Sequence, residues 1–574
     1  MVATPVKTKR LTVQVADLTA DITAIRSLDW DRDRFDIEFG LQNGTTYNSY
    51  LIRGEKIALV DTSHEKFRQL YFDSLNGLIN PQEIDYLIIS HTEPDHSGLV
   101  KDLLQLAPNI TVVGSKVAIQ FLENLVHHPF QRQLVKNGDQ LDLGNGHILE
   151  FVNAPNLHWP DTIFTYDHGS GILFTCDAFG MHYCSDDLYD EQLSAIEPDY
   201  RFYYECLMAP NARSVLAAMK RMEPLGNINL VANGHGPVLK HNVTELLTRY
   251  RDWSQAQTKA EKTVAVFYIS DYGYSDRLCQ SIAKGITKTG VAVETLDLKS
   301  ADPQEVKELA SSAVGIVIGT PPVSGIHAQE ITGNLGTILA SVNPKQYLGM
   351  FESKGDDDES ILPLFNKFRE VGLTKAFDPI RSAETPNESL YQRCEEAGTD
   401  MGQLLTQEVK VKQRKSLDTD LDKAIGRISG GLYIITTKKG DRSGAMVASW
   451  VTQASFDPPG FTVAVAKDRA IESLMQVGDQ FILNILEEGN YQTLMKHFLK
   501  RFGPGEDRFA GVNTRTANNG SPILADALAY LECEVVSRME CADHWIVYNK
   551  VTDGRVSKPD SLTAVHHRKV GNYY

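Results

Sequence analysis

Four side chains that can bind a metal ion lie within six consecutive residues of the chain. His91, Glu93, Asp95 and His96 directly follow an apolar run at residues 84–90, whose composition predicts a β-strand. Carboxylates and imidazoles packed this closely are costly to bury unless each is paired or binds a metal. The segment therefore predicts a metal site at the end of a strand.

Three further residues are candidate ligands. They are His158, Asp177 and His235, and the last two directly follow β-type runs. Gly234 and Gly236 flank His235 and would let the backbone bring its imidazole close to a metal. A lone histidine in a loop is more often solvated than ligating, but the whole set at strand ends predicts a dinuclear metal site.

The elements around these residues indicate three domains. Short β-type runs interleaved with helices over residues 30–255 predict an αββα sandwich with the site at one edge. A polar stretch at 253–261 precedes alternating strands and helices over 262–405, which is typical of a doubly wound α/β domain. A second polar joint at 407–420 precedes β-rich segments over 421–574, which predict an antiparallel barrel. The fold class is therefore mixed α/β and α+β in several domains.

The bulk composition excludes several classes of protein. With 574 residues the chain is long enough for three to four domains of about 150 residues each. Its net charge of −17 and the absence of a basic run oppose a nucleic-acid partner. Seven scattered cysteines without a CxxC pair oppose a secreted disulfide framework. With no apolar N-terminal run and no apolar stretch of about 18 residues, we expect a reduced cytoplasmic protein without integral membrane association.

The segment after the predicted strand at 263–269 resembles the phosphate loop of flavodoxin-like domains. Its candidate FMN-binding residues are Ser270, Asp271, Tyr272, Gly273, Tyr274 and Ser275. Hydroxyl groups and successive backbone N–H groups can wrap a phosphate at a helix N-terminus without Lys or Arg. A second loop with Thr320, Pro321 and Pro322 follows the strand at 314–318, where such domains touch the flavin ring.

The third loop of this domain departs from the flavodoxin-like pattern. After Phe351 at its start, the segment 351–358 has no aromatic at the usual stacking position, and it carries acidic side chains, which would disfavour an anionic flavin hydroquinone. Two interpretations stay open: weakened FMN binding, or an exposed acidic loop with FMN held by the other two loops.

The ligand order His-x-Glu-x-Asp-His, then His, Asp and His, resembles the flavodiiron family of the metallo-β-lactamase superfamily. The resemblance implies seven ligands to two irons: His91, Glu93 and His158 on one, Asp95, His96 and His235 on the other, and Asp177 bridging both. A zinc hydrolase of this superfamily carries His in place of Glu93. Three carboxylates with four imidazoles form a harder, more anionic shell, which favours Fe(II)/Fe(III) cycling. His168 and His182 match no ligand position, so we expect structural roles for them.

The C-terminal part resembles the flavin reductase family, an FMN-binding split β-barrel. The resembling segments are residues 430–437, 448–459, 481–486 and 566–568. The resemblance implies that Ser449, Thr452 and Lys467 contact a flavin, either FMN or FAD, and its phosphate. This family passes hydride from NAD(P)H to flavin N5, so the module would supply electrons.

The order of the three modules resembles the flavodiiron proteins of oxygenic phototrophs such as cyanobacteria. It implies an NAD(P)H:oxygen oxidoreductase, in which electrons pass from the C-terminal flavin through FMN to the diiron site and O₂ becomes water. It also implies a head-to-tail dimer, either a homodimer or a heterodimer with a paralogue. Whether NADH, NADPH or ferredoxin is the donor stays open.

Two alternatives to O₂ reduction remain at this point. Reduction of NO would use the same motifs and the same electron path. A dinuclear zinc hydrolase or a catalytically silent partner subunit belongs to a different class. Glu93 opposes the hydrolase, and the complete ligand set opposes the silent subunit.

Overall fold

The computed structural model describes residues 10–32, 34–35, 39–269, 275–299, 301–320, 328–352, 361–382, 386–416 and 419–568. The chain divides into two compact units, the first built from residues 1–36 and 41–261 and the second from residues 37–40 and 262–574. All seven cysteines are free thiols. Among the described residues, no helix combines the length and the apolar character needed to cross a membrane.

The first unit contains a seven-stranded sheet whose strands lie side by side in chain order. They are β1 (Leu11–Asp17), β2 (Ile22–Asp29), β3 (Thr45–Arg53), β4 (Ile57–Val60), β5 (Tyr86–Ile89), β6 (Thr111–Gly114) and β7 (Gln131–Leu134). Strands β1 to β4 pair antiparallel, and β4 to β7 pair parallel. Two short strands, Arg34–Phe35 and Phe39–Gly40, lie outside this sheet.

A second sheet of five strands faces the first. Its strands, again in chain order, are β8 (Gln140–Gly144), β9 (His147–Asn153), β10 (Ile163–Asp167), β11 (Ile172–Cys176) and β12 (Leu230–Asn233). Apolar side chains from both sheets, such as Ile88 and Phe174, form one buried cluster between them. The predicted sandwich of two sheets is confirmed.

Helices complete the outer layers of the first unit. They are α1 (Arg68–Leu78), α2 (Pro94–Ser97), α3 (Val100–Leu106), α4 (Lys116–Val126), α5 (Leu193–Tyr203), α6 (Ala212–Met222) and α7 (Val243–Thr258). Tyr71, Leu103 and Leu122 from α1, α3 and α4 pack with Leu87 of the first sheet. The polar stretch at 253–261 begins inside α7, which continues to Thr258.

The second unit begins with a parallel sheet. Its strands are β13 (Thr263–Tyr268), β14 (Ala292–Asp297), β15 (Gly315–Thr320), β16 (Tyr347–Glu352), β17 (Thr374–Lys375) and β18 (Ile380–Arg381). The order β14-β13-β15-β16-β17, with β18 also pairing to β16, is the flavodoxin-like order of a doubly wound fold. Helices flank the sheet at α8 (Ser275–Thr287), α9 (Pro303–Ser312), α10 (Ala328–Ser341), α11 (Leu362–Glu370) and α12 (Glu388–Ser416). The predicted doubly wound domain is confirmed.

The C-terminal part of the second unit is rich in antiparallel strands. These are β19 (Gly430–Gly431), β20 (Tyr433–Lys439), β21 (Arg442–Ala448), β22 (Val451–Phe456), β23 (Pro459–Ala466), β24 (Gln480–Ile485), β25 (Thr514–Thr516), β26 (Pro522–Leu524), β27 (Ala529–Cys541), β28 (His544–Val556) and β29 (Val565–His566). The main sheet has the order β21-β20-β24-β27-β28-β23-β22. Helices α13 (Asp420–Ile425) and α14 (Gln492–Phe498) lie before and within this part. The predicted barrel of the flavin reductase type is confirmed.

One element of this barrel differs from the sequence expectation. The run at residues 445–452 predicts one strand, but the structure ends β21 at Ala448 and begins β22 at Val451. The two strands lie at opposite ends of the seven-stranded order, so the chain passes from one edge to the other at Ser449 and Trp450. The hydrophobic pattern of the sequence cannot predict this change of sheet edge, because the two strands have the same pattern.

Helix α12 belongs to the flavodoxin-like module and also contacts the C-terminal module. The Gln392 amide donates to the Ser443 carbonyl at 2.8 Å, and the Glu396 carboxylate accepts from the backbone N–H of Gly505 at 2.9 Å. The same carboxylate pairs with Arg508 at 2.8 Å. Much of the polar joint predicted at 407–420 is therefore helix rather than loop, since α12 continues to Ser416. The domain boundaries at 255, 262, 405 and 421 stay a prediction.

A buried ion cluster holds α12 against α8. Glu395 on α12 pairs with Lys288 and, at 3.1 Å, with Lys284. The helices approach closely at Gly285, where a Cβ atom would lie 2.0 Å from the Glu395 carbonyl oxygen. Burial opposes ionisation of Glu395, but the two lysines outweigh it and lower the pKa of the carboxyl to about 2.

Replacing Glu395 with Gln should destabilise the second unit, because two largely buried ammonium groups lose their charged partner. We expect a loss of about 3–5 kcal/mol near neutral pH, measured as a lowered urea midpoint. The folded pKa lies below the usual value of 4.5, so the stabilisation is complete above that pH and fades as pH falls toward 2. Asp378→Asn removes the exposed pair with Lys375 and should change stability by less than about 1 kcal/mol. A wild-type midpoint that equals that of Glu395→Gln at neutral pH would contradict this account.

Candidate metal centre

The segment that carries four predicted ligands leads directly from the end of a strand into a short helix. Strand β5 ends at Ile89, and the short helix α2 begins at Pro94, whose fixed φ suits the first helical position. The Thr62 backbone N–H donates to the His96 carbonyl at 2.8 Å, which fixes the new turn to the neighbouring strand end. All four candidate ligands of this segment are buried.

Four predicted ligands converge in the first group of the site. His91, Glu93, His158 and Asp177 each offer an atom, and these atoms lie within 4.8 Å of one another. Glu93 Oε2 lies 3.0 Å from His158 Nε2 and 3.3 Å from His91 Nε2. Two imidazoles and two carboxylates therefore face one small volume.

The second group contains Asp95, His96 and His235, whose candidate ligand atoms also lie within 4.8 Å of one another. His96 Nε2 lies 3.5 Å from Asp95 Oδ1, and His235 Nε2 lies 3.5 Å from Asp95 Oδ2. Asp95 Oδ1 is buried and makes no hydrogen bond within the described part of the chain. This grouping has the membership that the sequence resemblance implied for the second iron.

The Asp177 side chain faces both groups. Its Oδ1 lies 2.8 Å from His96 Nε2 and 3.1 Å from His235 Nε2. Its Oδ2 lies 3.3 Å from His158 Nε2 and 3.5 Å from His91 Nε2. One carboxylate thus presents one oxygen to each group, which is the arrangement a bridging ligand needs.

Two adjacent strand ends bring Asp177 and His235 together. Strands β11 and β12 are parallel neighbours, and an irregularity in register lies between Phe174 and Cys176. The Gly234 N–H donates to the Cys176 carbonyl at 2.6 Å. A Cβ at Gly234 would lie 2.7 Å from His96 Cε1, so only glycine permits this approach.

A second shell of acceptors orients two of the imidazoles. His91 Nδ1 lies 3.0 Å from Asp161 Oδ1, and Asp161 Oδ2 accepts from the Thr92 N–H at 2.8 Å. His235 Nδ1 lies 2.7 Å from the Thr46 carbonyl oxygen. Acceptors at Nδ1 place the proton there and leave Nε2 free to bind a metal.

The charges of the site are strongly coupled. Burial disfavours the imidazolium form, but Glu93 and Asp177 outweigh it and raise the pKa of His158 to about 10. Likewise Asp95 and Asp177 overcome burial and raise the pKa of His96 to about 9. Burial also opposes ionisation of Glu93, but His158 and His91 outweigh it and lower its pKa. A metal ion that binds these imidazoles would therefore have to displace protons.

The donor set fits a pair of metal ions of intermediate to hard character. It consists of imidazole nitrogens and carboxylate oxygens, the ligands that suit non-haem iron and related divalent metals. Cys176 also lies within 4.8 Å of a group formed with His96 and Asp177, but its buried thiol has a raised pKa, because burial and the Asp61 charge oppose the thiolate. All seven residues that the sequence singled out as ligands are in the two groups; their assignment as iron ligands stays a prediction.

Sequence reasoning did not identify several residues that support the site. Asp161 carries no motif, and only its proximity to His91 in space reveals it. His182, expected to be structural, is buried with its ring 4.7 Å from that of His235, and its Nδ1 lies 2.7 Å from Thr45 Oγ1. Trp159 is not among the missed residues, because its position next to His158 predicts either a wall of the site or a simply packed indole, and its ring lies edge-on to His91 at 5.1 Å between centroids.

Of the predicted FMN residues in the flavodoxin-like module, the structure describes only Ser275 and Thr320. Ser270, Asp271, Tyr272, Gly273, Tyr274, Pro321 and Pro322 fall outside the described residues, as does most of the acidic third loop. The strands that lead to the first two loops, β13 and β15, are direct neighbours, and Ser275 and Thr320 are buried beside them. The first two loops therefore follow the two strands between which flavodoxin-like sheets bind their ligand.

In the C-terminal module the three candidate flavin residues have different surroundings. Ser449 is buried, and its hydroxyl has no hydrogen-bond partner in the described part of the chain. Thr452 lies on the exposed strand β22. Lys467 pairs with Glu540 and lies over the Trp545 ring at 5.3 Å. Their role in flavin binding stays a prediction.

Comparison with known proteins gives matches along the chain. Residues 45–236 match the family described as ODP family beta lactamase, and residues 425–573 match the flavin reductase like domain. The chain is 71% identical over 566 residues to diflavin flavoprotein A 1 of Synechocystis, covering 99% of this chain and 98% of that protein. It is 69% identical over 576 residues to diflavin flavoprotein A 3 of Nostoc, covering 100% of both. The solved metal-soaked Flv1 flavodiiron core of Synechocystis is 38% identical, with a TM-score of 0.64, covering 69% of this chain and 99% of that chain.

Replacing Asp161 with Asn should weaken metal binding without removing any ligand. The amide oxygen can still accept from His91 Nδ1–H, but it carries no negative charge, and the amide NH₂ cannot accept from the Thr92 N–H as Asp161 Oδ2 does. We therefore expect the metal affinity to fall about 10–100-fold. Competition with a chelator measures the affinity of the purified protein. Asp167→Asn is the matched control, because Asp167 pairs with the buried His147 at 2.8 Å outside the two ligand groups. Equal losses in both variants would show a general effect on folding instead.

Proposed function

The chain belongs to the flavodiiron family of diflavin flavoproteins, and from that premise we propose that it is an NAD(P)H:oxygen oxidoreductase that reduces O₂ to water. Family membership makes the protein a flavin-linked oxidoreductase with a flavin reductase domain, as the resemblance in the sequence implied. The family also implies FMN and a diiron site. The electron acceptor, the donor and the identity of the C-terminal flavin form the proposed part.

The position of Asp177 carries the proposal. Its two oxygens lie against separate pairs of imidazoles, which supports two metal ions held close enough to share one small substrate. Two iron ions held by His91, Glu93, His158, Asp95, His96 and His235, with Asp177 between the two groups, would supply one-electron redox chemistry for a diatomic gas.

The residues around the site would limit the access of water to it and balance the charge of bound metal ions. Trp159 is 4% exposed and lies against His91, so its indole excludes water from that side. The three carboxylates Glu93, Asp95 and Asp177 balance the positive charge of two bound metal ions. Asp161 and the Thr46 carbonyl keep His91 and His235 in the tautomer that binds through Nε2.

The C-terminal module and the flavodoxin-like module would deliver the electrons. We propose that NAD(P)H reduces the C-terminal flavin, either FMN or FAD, by hydride transfer, and that single electrons then pass through FMN to the metal site. Helix α12 supports transfer between these two modules, because it belongs to the flavodoxin-like module and contacts the C-terminal module directly. Ferredoxin remains an alternative donor.

The alternatives differ in how the structure supports them. NO reduction would use the same ligands and the same electron path, so only kinetics can separate it from O₂ reduction. A zinc hydrolase would need neither a flavin reductase domain nor Glu93 in the first group. Since all seven candidate ligands converge, a silent subunit lacks support as well.

Anaerobic stopped-flow reoxidation tests the choice of acceptor. We expect the iron-loaded, fully reduced protein to reoxidise faster with O₂ than with NO at equal concentrations, and metal analysis should give iron in excess of zinc. Faster reoxidation by NO would replace the proposed acceptor. A reduced protein inert to both gases, or full zinc occupancy, would refute the proposal.

Replacing Asp177 with Ala separates the two halves of the electron path. The variant loses the carboxylate shared by both groups, so we expect gas reduction to vanish while NAD(P)H-driven flavin reduction continues at the wild-type rate. Flavin bleaching and oxygen uptake measure the two steps separately. Asp199→Asn, which alters a carboxylate bonded to Asn43 at 2.9 Å outside the two ligand groups, serves as the control for handling and stability. Loss of both activities in Asp177→Ala would contradict the modular path.

We propose further that electrons cross between subunits of a head-to-tail dimer, either a homodimer or a heterodimer with a paralogue. Subunits carrying Asp177→Ala and subunits carrying Gly273→Asp in the predicted phosphate loop should each be inactive in oxygen uptake. Mixed after dissociation and reassembly, they should regain uptake, because one intact flavin then faces one intact metal site. No recovery in verified hybrid dimers would place the electron path within a single chain.

A further inference from the structure

A continuous group of aromatic side chains leads away from the metal site in the first unit. We name Tyr203, Tyr204, Tyr250 and Trp253 the aromatic track. The Tyr203 ring lies 6.1 Å from the ring of the candidate ligand His235. The ring of His182 connects them more closely, because its centroid lies 4.7 Å from that of His235 and 4.9 Å from that of Tyr203. The track therefore begins in contact with the metal site.

The remaining members continue outward from Tyr203. Tyr204 is its neighbour in the chain and begins a single turn of π-helix, Tyr204–Met208, a feature frequent at functional sites. The Tyr204 ring lies 4.9 Å from that of Tyr250 and 5.0 Å from that of Trp253. Tyr250 and Trp253 are themselves 6.1 Å apart. Each step after Tyr203 is thus a ring contact or a single peptide link.

The outer end of the track reaches solvent. Trp253 is half-buried, whereas the three tyrosines are at most 2% exposed. The guanidinium of Arg201 lies over the indole at 4.4 Å, and its side chain is 43% exposed. The track joins a buried redox site to the protein surface.

Packing alone does not explain the phenols. Phenylalanine would fill nearly the same volume, and a buried hydroxyl costs free energy unless it finds a partner. The Tyr204 hydroxyl uses Ser254 at 3.0 Å, and the adjacent Tyr200 hydroxyl donates to the Leu246 carbonyl at 3.1 Å. Besides these hydrogen-bonding groups, tyrosine and tryptophan differ from phenylalanine in being readily oxidised by one electron. The composition of the track therefore permits redox chemistry that a track of phenylalanines would not.

We propose that the aromatic track conducts oxidising equivalents from the metal site to the surface at Trp253, and so protects the site when a reaction with oxygen stops short of water. The proposal rests on the proposed function, because it requires redox-active metal at the site. Hydrogen peroxide is the oxidant, and a thiol or ascorbate in solution is the final reductant.

The electrons and atoms of this step balance. Peroxide takes two electrons and two protons, its O–O bond breaks, and two waters form. Two side chains of the track each lose one electron and one proton. At the surface, each of the two resulting radicals takes one hydrogen atom from a thiol or ascorbate, which restores the side chains. The net reaction is the reduction of peroxide by two external one-electron donors.

Peroxide added without NAD(P)H to the iron-loaded full-length protein tests the track directly. Freeze-quenched samples show aromatic radicals by electron paramagnetic resonance, and peptide mass spectrometry locates oxidised side chains. We expect oxidation to concentrate at Trp253 in the wild type and to be absent there in metal-free protein. Tyr203→Phe should lower oxidation of Trp253 by more than half and raise it at Cys176 and Trp159 beside the metal.

Two further variants keep the test decisive. Trp253→Phe retains the tyrosines, so its radical signal should become purely tyrosyl and persist longer. This variant can therefore decide the question if Tyr203→Phe fails to bind iron. Tyr166→Phe is the matched control, because Tyr166 is 4% exposed, bonds to the Asn227 carbonyl at 2.8 Å and is not in the track. It should behave as wild type. Ascorbate should abolish the radicals in the wild type and the control.

The outcomes separate this proposal from the proposed function. Unchanged oxidation of Trp253 in Tyr203→Phe with full iron content, or equal oxidation in metal-free protein, would overturn the track. An unaltered radical spectrum in Trp253→Phe would overturn it as well. Oxygen uptake with NAD(P)H is measured on the same samples; its absence in the wild type would count against the proposed function, while the peroxide result would still decide the track.

Discussion

Asp177 sets the geometry on which the rest of the first unit depends. Its carboxylate lies between His96 and His235 on one side and His91 and His158 on the other, at 2.8 to 3.5 Å. A buried carboxylate among four imidazoles is stable only if the strand ends that carry them hold fixed positions, because small displacements would leave charges unpaired. The sandwich supplies this rigidity by placing each ligand at the end of a packed strand or in the turn that follows it.

The close approach of strands β11 and β12 fixes the positions of Asp177 and His235, and it restricts which residues can occupy the ends of these strands. Cys176 adopts a positive φ of 52°, which L residues rarely do, and Gly234 leaves no room for a Cβ against His96. Such local strain persists where the surrounding structure fixes it, and it is concentrated at functional sites. The strained backbone and the convergence of the candidate ligands thus depend on the same two strand ends.

The second unit is under a different constraint. It must hold two flavin modules together, whereas the first unit must hold many charged side chains close to one another. In the parallel sheet of the second unit, the strands that precede the predicted phosphate loop and the second loop, β13 and β15, are direct neighbours. Helix α12 contacts the C-terminal module through Gln392 and Glu396, while Glu395 fixes the same helix to α8. The buried charges therefore lie where the modules must hold their relative position.

Local pattern in the sequence determined much of this protein. Residues 91–96 and the runs before Asp177 and His235 each place candidate ligands at the end of a strand within one short segment, so residue type and spacing suffice to locate them. The three fold classes follow for the same reason, since each has its own alternation of strands and helices. The phosphate loop at 270–275 depends instead on the resemblance to flavodoxin-like domains.

The tertiary structure alone decided what depends on distant residues. Asp161 binds His91 across 70 positions of the chain, and the break at Ser449 and Trp450 reflects a change of sheet edge. The two oxygens of Asp177 and the path from His235 through Tyr203 to Trp253 are likewise invisible in the sequence. Contacts of this kind arise from how packed layers bring strand ends together, and no single segment contains that information.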